Sequence, residues 1–434
     1  MSTRILIEHL ARVEGHGGVF VELDGDRVAR VELSIFEGLR LLEGLLRGRS
    51  YEDVAPIVSR ICAICSVAHT VTSLRATERA FGVTPSPQTE LLRDLLFRGE
   101  NIESHALHIF LLALPDYVGA PAATAVPEQW QASVALGLQL KKLGNLIQQT
   151  VGGRAIHPVN AVLGGFGALP TIDQLLSLRD ALVQGAADAQ AALDALCALP
   201  DVGGCEADRQ VAALIPPGPY GYYGGGEIAI ARNGTQQRVR ADEYRVLAAE
   251  RSVPHSHAKH SLFGGEPFMV GALARLTVNR ERLTPAAAAA AQRLALKLPS
   301  RNPLDNNKAQ AVELVLDIDH ATRTVERLLE RELRPEPPPT VHPRAASGTA
   351  VSEAPRGLLA HSYTYDDHGR IVAADVVTPT ALNAASVERD LRRAVEQRTT
   401  EDLDGLRRQL EIIVRAYDPC ISCSVHVVQK RHAV

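Results

Sequence analysis

Four cysteines in two C-x-x-C pairs carry the strongest chemical signal in this 434-residue sequence: Cys62 and Cys65 near the start, Cys420 and Cys423 close to the end. In each pair both sulfurs can reach one metal ion, and two pairs supply four thiolates. A soft donor set of this kind selects zinc, iron or nickel over magnesium or calcium. On these residues alone a structural zinc is the favoured reading. Two features count against it. The stretch from Cys65 to Cys420 far exceeds the interval of a zinc ribbon, and so little chain follows Cys423 that a local clip there would have little to hold. His69, four residues after Cys65, and His426, three after Cys423, are spaced to hydrogen-bond a coordinated sulfur, although an ordinary surface or core histidine is the commoner reading of each. The run His255, His257 and His260 could suggest another metal, but its place just before VGALAR favours a substrate-pocket or subunit-contact loop. Cys197 lies in an apolar helical run and reads as a core residue, and Cys205 has no evident role.

These residues need a scaffold. Residues 19–35 alternate apolar and polar side chains around Asp-Gly-Asp, a hairpin signature, and 362–377 repeats the pattern around His368-Gly369. Helical period dominates 88–113, 128–151, 172–199, 284–298, 308–332 and 385–416. The expected fold is therefore mainly α with small β hairpins (α+β), a large bundle of antiparallel helices joined by short loops. The Pro-rich stretch 333–350 reads as a surface segment and not a boundary, because a metal shared by the two cysteine pairs would bind residues 1–434 into one domain.

Composition removes several classes. An apolar fraction of 46% and a charged fraction of 22% fit an ordered globular chain, and a net charge of -4 gives no reason to expect nucleic acid or an anionic membrane as partner. No stretch reads as a secretory signal or a membrane span, so the expected location is the cytoplasm.

The words around the cysteines go further. SRICAICSVAHT at 59–70 resembles the R-x-C-G-x-C signature of nickel-iron hydrogenase large subunits, and YDPCISCSVH at 417–426 resembles their terminal D-P-C-x-x-C-x-x-H. RVEGHGG at 12–18, GGRAIHP at 152–158, VGALAR at 270–275 and EAPRG at 353–357 are similar to further motifs of that family, in family order across nearly the whole chain. The resemblance implies that the two cysteine motifs converge on one buried bimetallic site, where Cys62 and Cys420 are terminal ligands of nickel. Cys65 and Cys423 then bridge nickel to an iron that carries carbon monoxide and cyanide. It further implies reversible heterolytic cleavage of dihydrogen, with Cys420 as the proton-accepting sulfur and Glu14 as the gate that takes the proton onward. Arg356, with Pro355 beside it, matches the arginine over the open metal face, and Thr380 falls where the family places a hydroxyl that binds a cyanide. Glu43 and His426 match the residues that hold a magnesium or iron ion, and residues 427–434 match a tail removed after nickel insertion.

Departures from the pattern point to a branch. Ala63 replaces the usual Gly, and Ser104 stands where many membrane-bound members carry an aspartate. Together with the short chain, this resembles the cytoplasmic NAD(P)-linked branch that includes sulfur-reducing enzymes, with a deazaflavin-linked enzyme as the alternative. Once the four cysteines are assigned no iron-sulfur motif remains, so an iron-sulfur small subunit is expected, together with flavin/NAD(P)-binding electron-transfer subunits, a maturation endopeptidase and nickel chaperones. A quinone-reactive respiratory subunit lacks the four cysteines. A zinc-stabilised interaction protein is the non-catalytic alternative, and metal content separates it.

Overall fold

Alternation on both sides of Asp24-Gly25 produces the expected hairpin, β2 (Gly17–Asp24) and β3 (Arg27–Ile35), with β1 (Ser2–Ile7) added antiparallel to β2. The computed structural model describes residues 2–25, 27–38, 42–331, 333–337, 339–397 and 402–425. His426 and the tail 427–434 lie outside them.

The helices follow the periodic runs, with capping chemistry at their ends. α1 (Ser66–Phe81) follows the first cysteine pair and stops at Gly82, whose φ of 72° ends the helix in the left-handed region. α2 (Pro87–Leu107) starts where the Ser86 hydroxyl accepts from Thr89 N–H with Pro87 in the first turn. A π-helical stretch, His108–Ala113, extends it. α3 (Glu128–Gly152) packs along α2, and α4 (Ile172–Cys197) begins in a Thr171/Gln174 capping box. α5 (Ala272–Asn279) and α6 (Pro285–Arg293) precede α7 (Asp305–Leu329), which packs on α2 and α4. The run 385–416 divides into α8 (Pro379–Glu396) and α9 (Leu403–Ala416), the second opened by Asp402 accepting from Gly405 N–H.

Sheets flank this bundle. β4 (Gln210–Ile215), β5 (Glu227–Arg232) and β6 (Thr235–Arg240) form an antiparallel sheet, and a short hairpin follows, β7 (Arg251–Val253) with β8 (Ser256–His260). β9 (Phe268–Met269) joins β4 in parallel. β10 (Ala346–Ala354), β11 (Gly357–Tyr365) and β12 (Ile371–Val377) make a meander that packs against α1. The sequence reading finds β11–β12 but not β10 or the β4–β6 sheet, whose strands are apolar on both faces or polar throughout, so neither shows a clean alternation. One apolar core draws residues from Ile5 to Val425. The described part of 333–345 carries no helix or strand and is pinned to α2, where Gln88 exchanges hydrogen bonds with the Arg334 backbone.

Cys197 corrects the sequence expectation. The buried stripe of α4 ends at Leu193, so the final turn lies beyond the packed face and Cys197 is exposed.

Packing of α2 on α3 is close enough to require glycine. A Cβ at Gly144 would lie 2.5 Å from Glu103 N and from Gly99 O, both backbone atoms. Gly144→Ala should therefore lower stability by about 1–3 kcal/mol, read as a fall in unfolding temperature. Gly218→Ala, which meets nothing within 4 Å, should leave that temperature unchanged; equal effects would refute the account.

Candidate metal centre

Both cysteine pairs sit in tight turns that end or begin helices. A 3-10 turn, Ser59–Ile61, leads into Cys62, and Cys65 is the residue before α1. Cys420 precedes and Cys423 ends a second 3-10 turn, Ile421–Cys423, after α9. This C-terminal turn is held against the N-terminal strand region: Glu14 and Cys420 form a parallel bridge, and Ile421 N–H donates to Glu14 O at 2.9 Å. All four sulfurs are buried and lie within 4.8 Å of one another. Cys62 Sγ is 3.5 Å from Cys420 Sγ, and Cys65 N–H points at Cys62 Sγ from 3.2 Å. Cys420 and Cys423, with Cα atoms 5.5 Å apart, bring their sulfurs into contact, and both would ligate a metal as thiolates. Of the first pair, a side-chain hydrogen bond between the two thiols, foremost, pulls Cys62 down, and the same bond, followed by burial, pushes Cys65 up.

Glu14 stands beside Cys420. Its Oε2 is 3.2 Å from Cys420 Sγ and accepts Ser422 N–H at 3.0 Å, while Oε1 accepts the Ser422 hydroxyl. Arg356 comes from the two-residue turn between β10 and β11, closed by Gly357 at a φ of 129°, where a Cβ would strike Val270 and Gly271. Its Nε donates to Asp418 O at 2.7 Å and its Nη2 pairs with Asp418 Oδ1 at 3.0 Å, while Nη1 is buried with no partner among the described residues. Burial alone would lower the Arg356 pKa; Asp418, Cys62, Cys65 and Glu14 outweigh it and raise it, so the group is a fixed cation facing the sulfurs. Pro355 shares this turn, and its carbonyl accepts from Arg275 at 2.8 Å.

The other residues singled out by sequence have defined places. Thr380, in the first turn of α8, accepts Cys420 N–H at 2.9 Å. His69 is buried on α1 and its Nδ1 is 3.0 Å from His361 Nε2, with burial lowering its pKa to about 3. Ser104 is fully buried and its hydroxyl has no partner among the described residues. Glu43 lies apart from the sulfurs, where its Oε1 accepts Val376 N–H at 3.0 Å. The three-histidine run is a β-hairpin and not a loop, and His257 Nδ1 lies 3.0 Å from Glu37 O.

Sequence reasoning missed two supports. Glu100, on α2, is fully buried and accepts Val67 and Ala68 N–H at 2.6 and 3.1 Å, the free donors at the start of α1. Burial, foremost, holds its pKa well above the usual carboxylate range. Arg275 joins Glu313 by two 2.7 Å contacts, reaches Glu353 at 3.2 Å, and so carries the turn that presents Arg356. The available signal was charged residues on all faces of apolar helical runs, as in RGENIESH.

A family model described as nickel-dependent hydrogenase matches residues 40–145 and 230–426. The alpha subunit of sulfhydrogenase 1 from Pyrococcus furiosus is 38% identical over 98% of both chains, and the vhu F420-non-reducing hydrogenase subunit of Methanocaldococcus jannaschii is 31% identical over 91% of this chain and 99% of the other. Among solved structures, an NAD+-reducing [NiFe]-hydrogenase in the H2-reduced state superposes with a TM-score of 0.86 at 27% identity, covering 98% of this chain and 99% of that one. No described helix is long and apolar enough to cross a membrane.

The cysteines outside the centre should differ sharply in reactivity. Cys197 is exposed, whereas Cys205 is buried with its pKa pushed up to about 12 by that burial. At pH 8 iodoacetamide should alkylate Cys197 in the folded protein and leave Cys205 unmodified until denaturant is added, as peptide mass mapping would show; early labelling of Cys205 would contradict the structure.

Proposed function

The chain belongs to the nickel-dependent hydrogenase family, and on that premise we propose that it is the catalytic subunit that interconverts dihydrogen with protons and electrons at a nickel-iron centre. The observation that carries this reading is the single buried cluster of four sulfurs, with a carboxylate on one side and a fixed guanidinium on the other. The donor set fits the group: four soft sulfurs suit nickel and low-spin iron, and the unpaired Arg356 Nη1 suits an anionic ligand such as cyanide. When bound, the metal pair supplies the Lewis acidity and redox chemistry for heterolytic cleavage of dihydrogen.

Within this assignment the four cysteines would hold the metal pair, Cys62 and Cys420 serving nickel alone and Cys65 and Cys423 serving nickel and iron together. Cys420 Sγ takes the proton. Glu14 Oε2, 3.2 Å away, receives it, since a donor and acceptor at that distance need no intervening group. The two Ser422 contacts fix the carboxylate in that pose. Arg356 cannot rotate away while Asp418 holds two of its nitrogens, so its third would be available to a cyanide. Thr380 fixes the Cys420 backbone and keeps its own O–H, which would donate to the other cyanide, and Pro355 would line the same face. His361 fixes the ring of His69, which follows Cys65 by one helical turn and would act on the bridging sulfur through its other nitrogen. Glu43, with His426 beyond the described residues, would hold magnesium or iron.

Electrons leave through the clusters of an iron-sulfur small subunit, then pass to NAD(P) through flavin-containing partners in the cytoplasm. Likeness to an NAD+-reducing enzyme supports this acceptor, and relatives named as F420-non-reducing weigh against a deazaflavin. A maturation endopeptidase and nickel chaperones would load the centre and remove residues 427–434.

Infrared spectroscopy of the protein purified with its partners should show metal-bound carbon monoxide and cyanide bands, with about one nickel per chain. Zinc without such bands would return the cysteines to a structural role. Glu14→Gln should cut hydrogen-dependent dye reduction by roughly 10²–10⁴-fold with nickel content and infrared bands unchanged. Full activity in that variant would remove Glu14 from the proton path.

A further inference from the structure

We infer a second metal site, separate from the cysteines, in which His255, His260 and Glu388 bind a divalent transition ion of the zinc class. Ligand-capable atoms of these three residues lie within 4.8 Å of one another. His255 is in the turn between β7 and β8, His260 ends β8, and Glu388 projects from α8. The two oxygens of one carboxylate each face a different imidazole: Glu388 Oε1 is 2.7 Å from His255 Nε2, and Oε2 is 3.8 Å from His260 Nδ1. Ligands held roughly 2.0–2.2 Å from a tetrahedral ion stand about 3.4 Å apart, between the two separations found. Small side-chain shifts therefore admit the ion.

Three observations separate this cluster from a simple ion pair. His260 is only 2% exposed, its Nε2 has no partner among the described residues, and 3.8 Å is too long for its Nδ1 to be hydrogen-bonded to Glu388. A buried imidazole so poorly satisfied is costly unless something else binds it. Second, the far nitrogen of His255, Nδ1, is 3.4 Å from Glu32 Oε1. A carboxylate behind a histidine is the support that fixes tautomer and ring orientation in metal ligands. Third, Glu388 is itself held in place, because Oε1 accepts Leu33 N–H at 2.9 Å. Glu388 brings one negative charge to the ion directly, and Glu32, shared with Arg30 at 2.5 Å, adds a second carboxylate behind His255.

The site lies on a different face from the ion expected at Glu43. Alternate residues of a strand point to opposite faces, and Lys259, next to His260, pairs with Glu250 at 2.8 Å and feels the charge of Glu43. The inferred ion would clip the β7–β8 hairpin to β3 and α8. β8 also bridges to Val425 through Ala258, and α8 carries Thr380, so the clip would brace both elements that hold the second cysteine pair.

Zinc is the probe. The purified heteromeric enzyme, treated with a mild chelator and then given zinc sulfate, should retain about one zinc per chain beyond its nickel and iron after desalting. X-ray absorption at the zinc edge should show nitrogen and oxygen donors with imidazole scattering and no sulfur. Glu388→Gln and His255→Asn should abolish retention, and Glu32→Gln should weaken zinc binding by about tenfold or more. Nickel content and the infrared bands should be unchanged in all three, which keeps this test independent of the hydrogenase assignment. Absence of extra zinc in the wild-type enzyme, sulfur in its zinc shell, or undiminished retention in the variants would each overturn the site. Absence of extra zinc in the wild-type enzyme decides against the site even where a variant does not fold.

Discussion

Four sulfurs from opposite ends of a chain can share one site only if the last turn of the polypeptide is held against the first. Here the Glu14–Cys420 bridge does this, with Ile421 N–H on the Glu14 carbonyl and the Glu14 carboxylate on Ser422. Because the same residue supplies both the backbone anchor and the carboxylate beside Cys420, that carboxylate cannot drift relative to the sulfur. Each contact is modest alone, on the order of 1 kcal/mol. Burial and mutual orientation make the set cooperative.

Buried charge extends that anchoring outward. Arg415, at the end of α9, grips Asp116 through two nitrogens and also takes Ala11 O, so the helix before the second cysteine pair is tied to the N-terminal segment. Arg12 meets the same aspartate. Asp418, in the left-handed conformation, divides its carboxylate between Arg356 and Gln310, and His108 binds Gln310 in turn. On the other side Arg275 satisfies Glu313, Glu353 and the Pro355 carbonyl; desolvation alone would raise the Glu313 pKa, but that guanidinium outweighs it and drives the group down to about 2. Such buried pairs add little net stability relative to an apolar core, but removing one partner leaves an uncompensated charge. Their consequence here is orientation: each network ends on a residue next to the sulfurs.

How much was legible beforehand varies with range. Hairpins at 19–35 and 362–377 and most helix runs followed from local period and were found nearly in place. The β4–β6 sheet and β10 were not, since a strand buried on both faces, or an edge strand polar on both, carries no alternation. Cys197 misled because an apolar run says nothing about where a helix outlasts its neighbour.

The sequence by itself determined the chemistry: residue types at fixed short spacing, C-x-x-C twice and E-A-P-R-G once, specify donors whose reach is set by local geometry. Only the tertiary structure decided which donors meet. Glu100 under the start of α1, Asp418 on Arg356 and Glu388 between two histidines are contacts between segments far apart in the chain. No local pattern encodes them, because they arise from how packed helices and sheets bring distant backbone together and from the need to satisfy each polar group that packing buries.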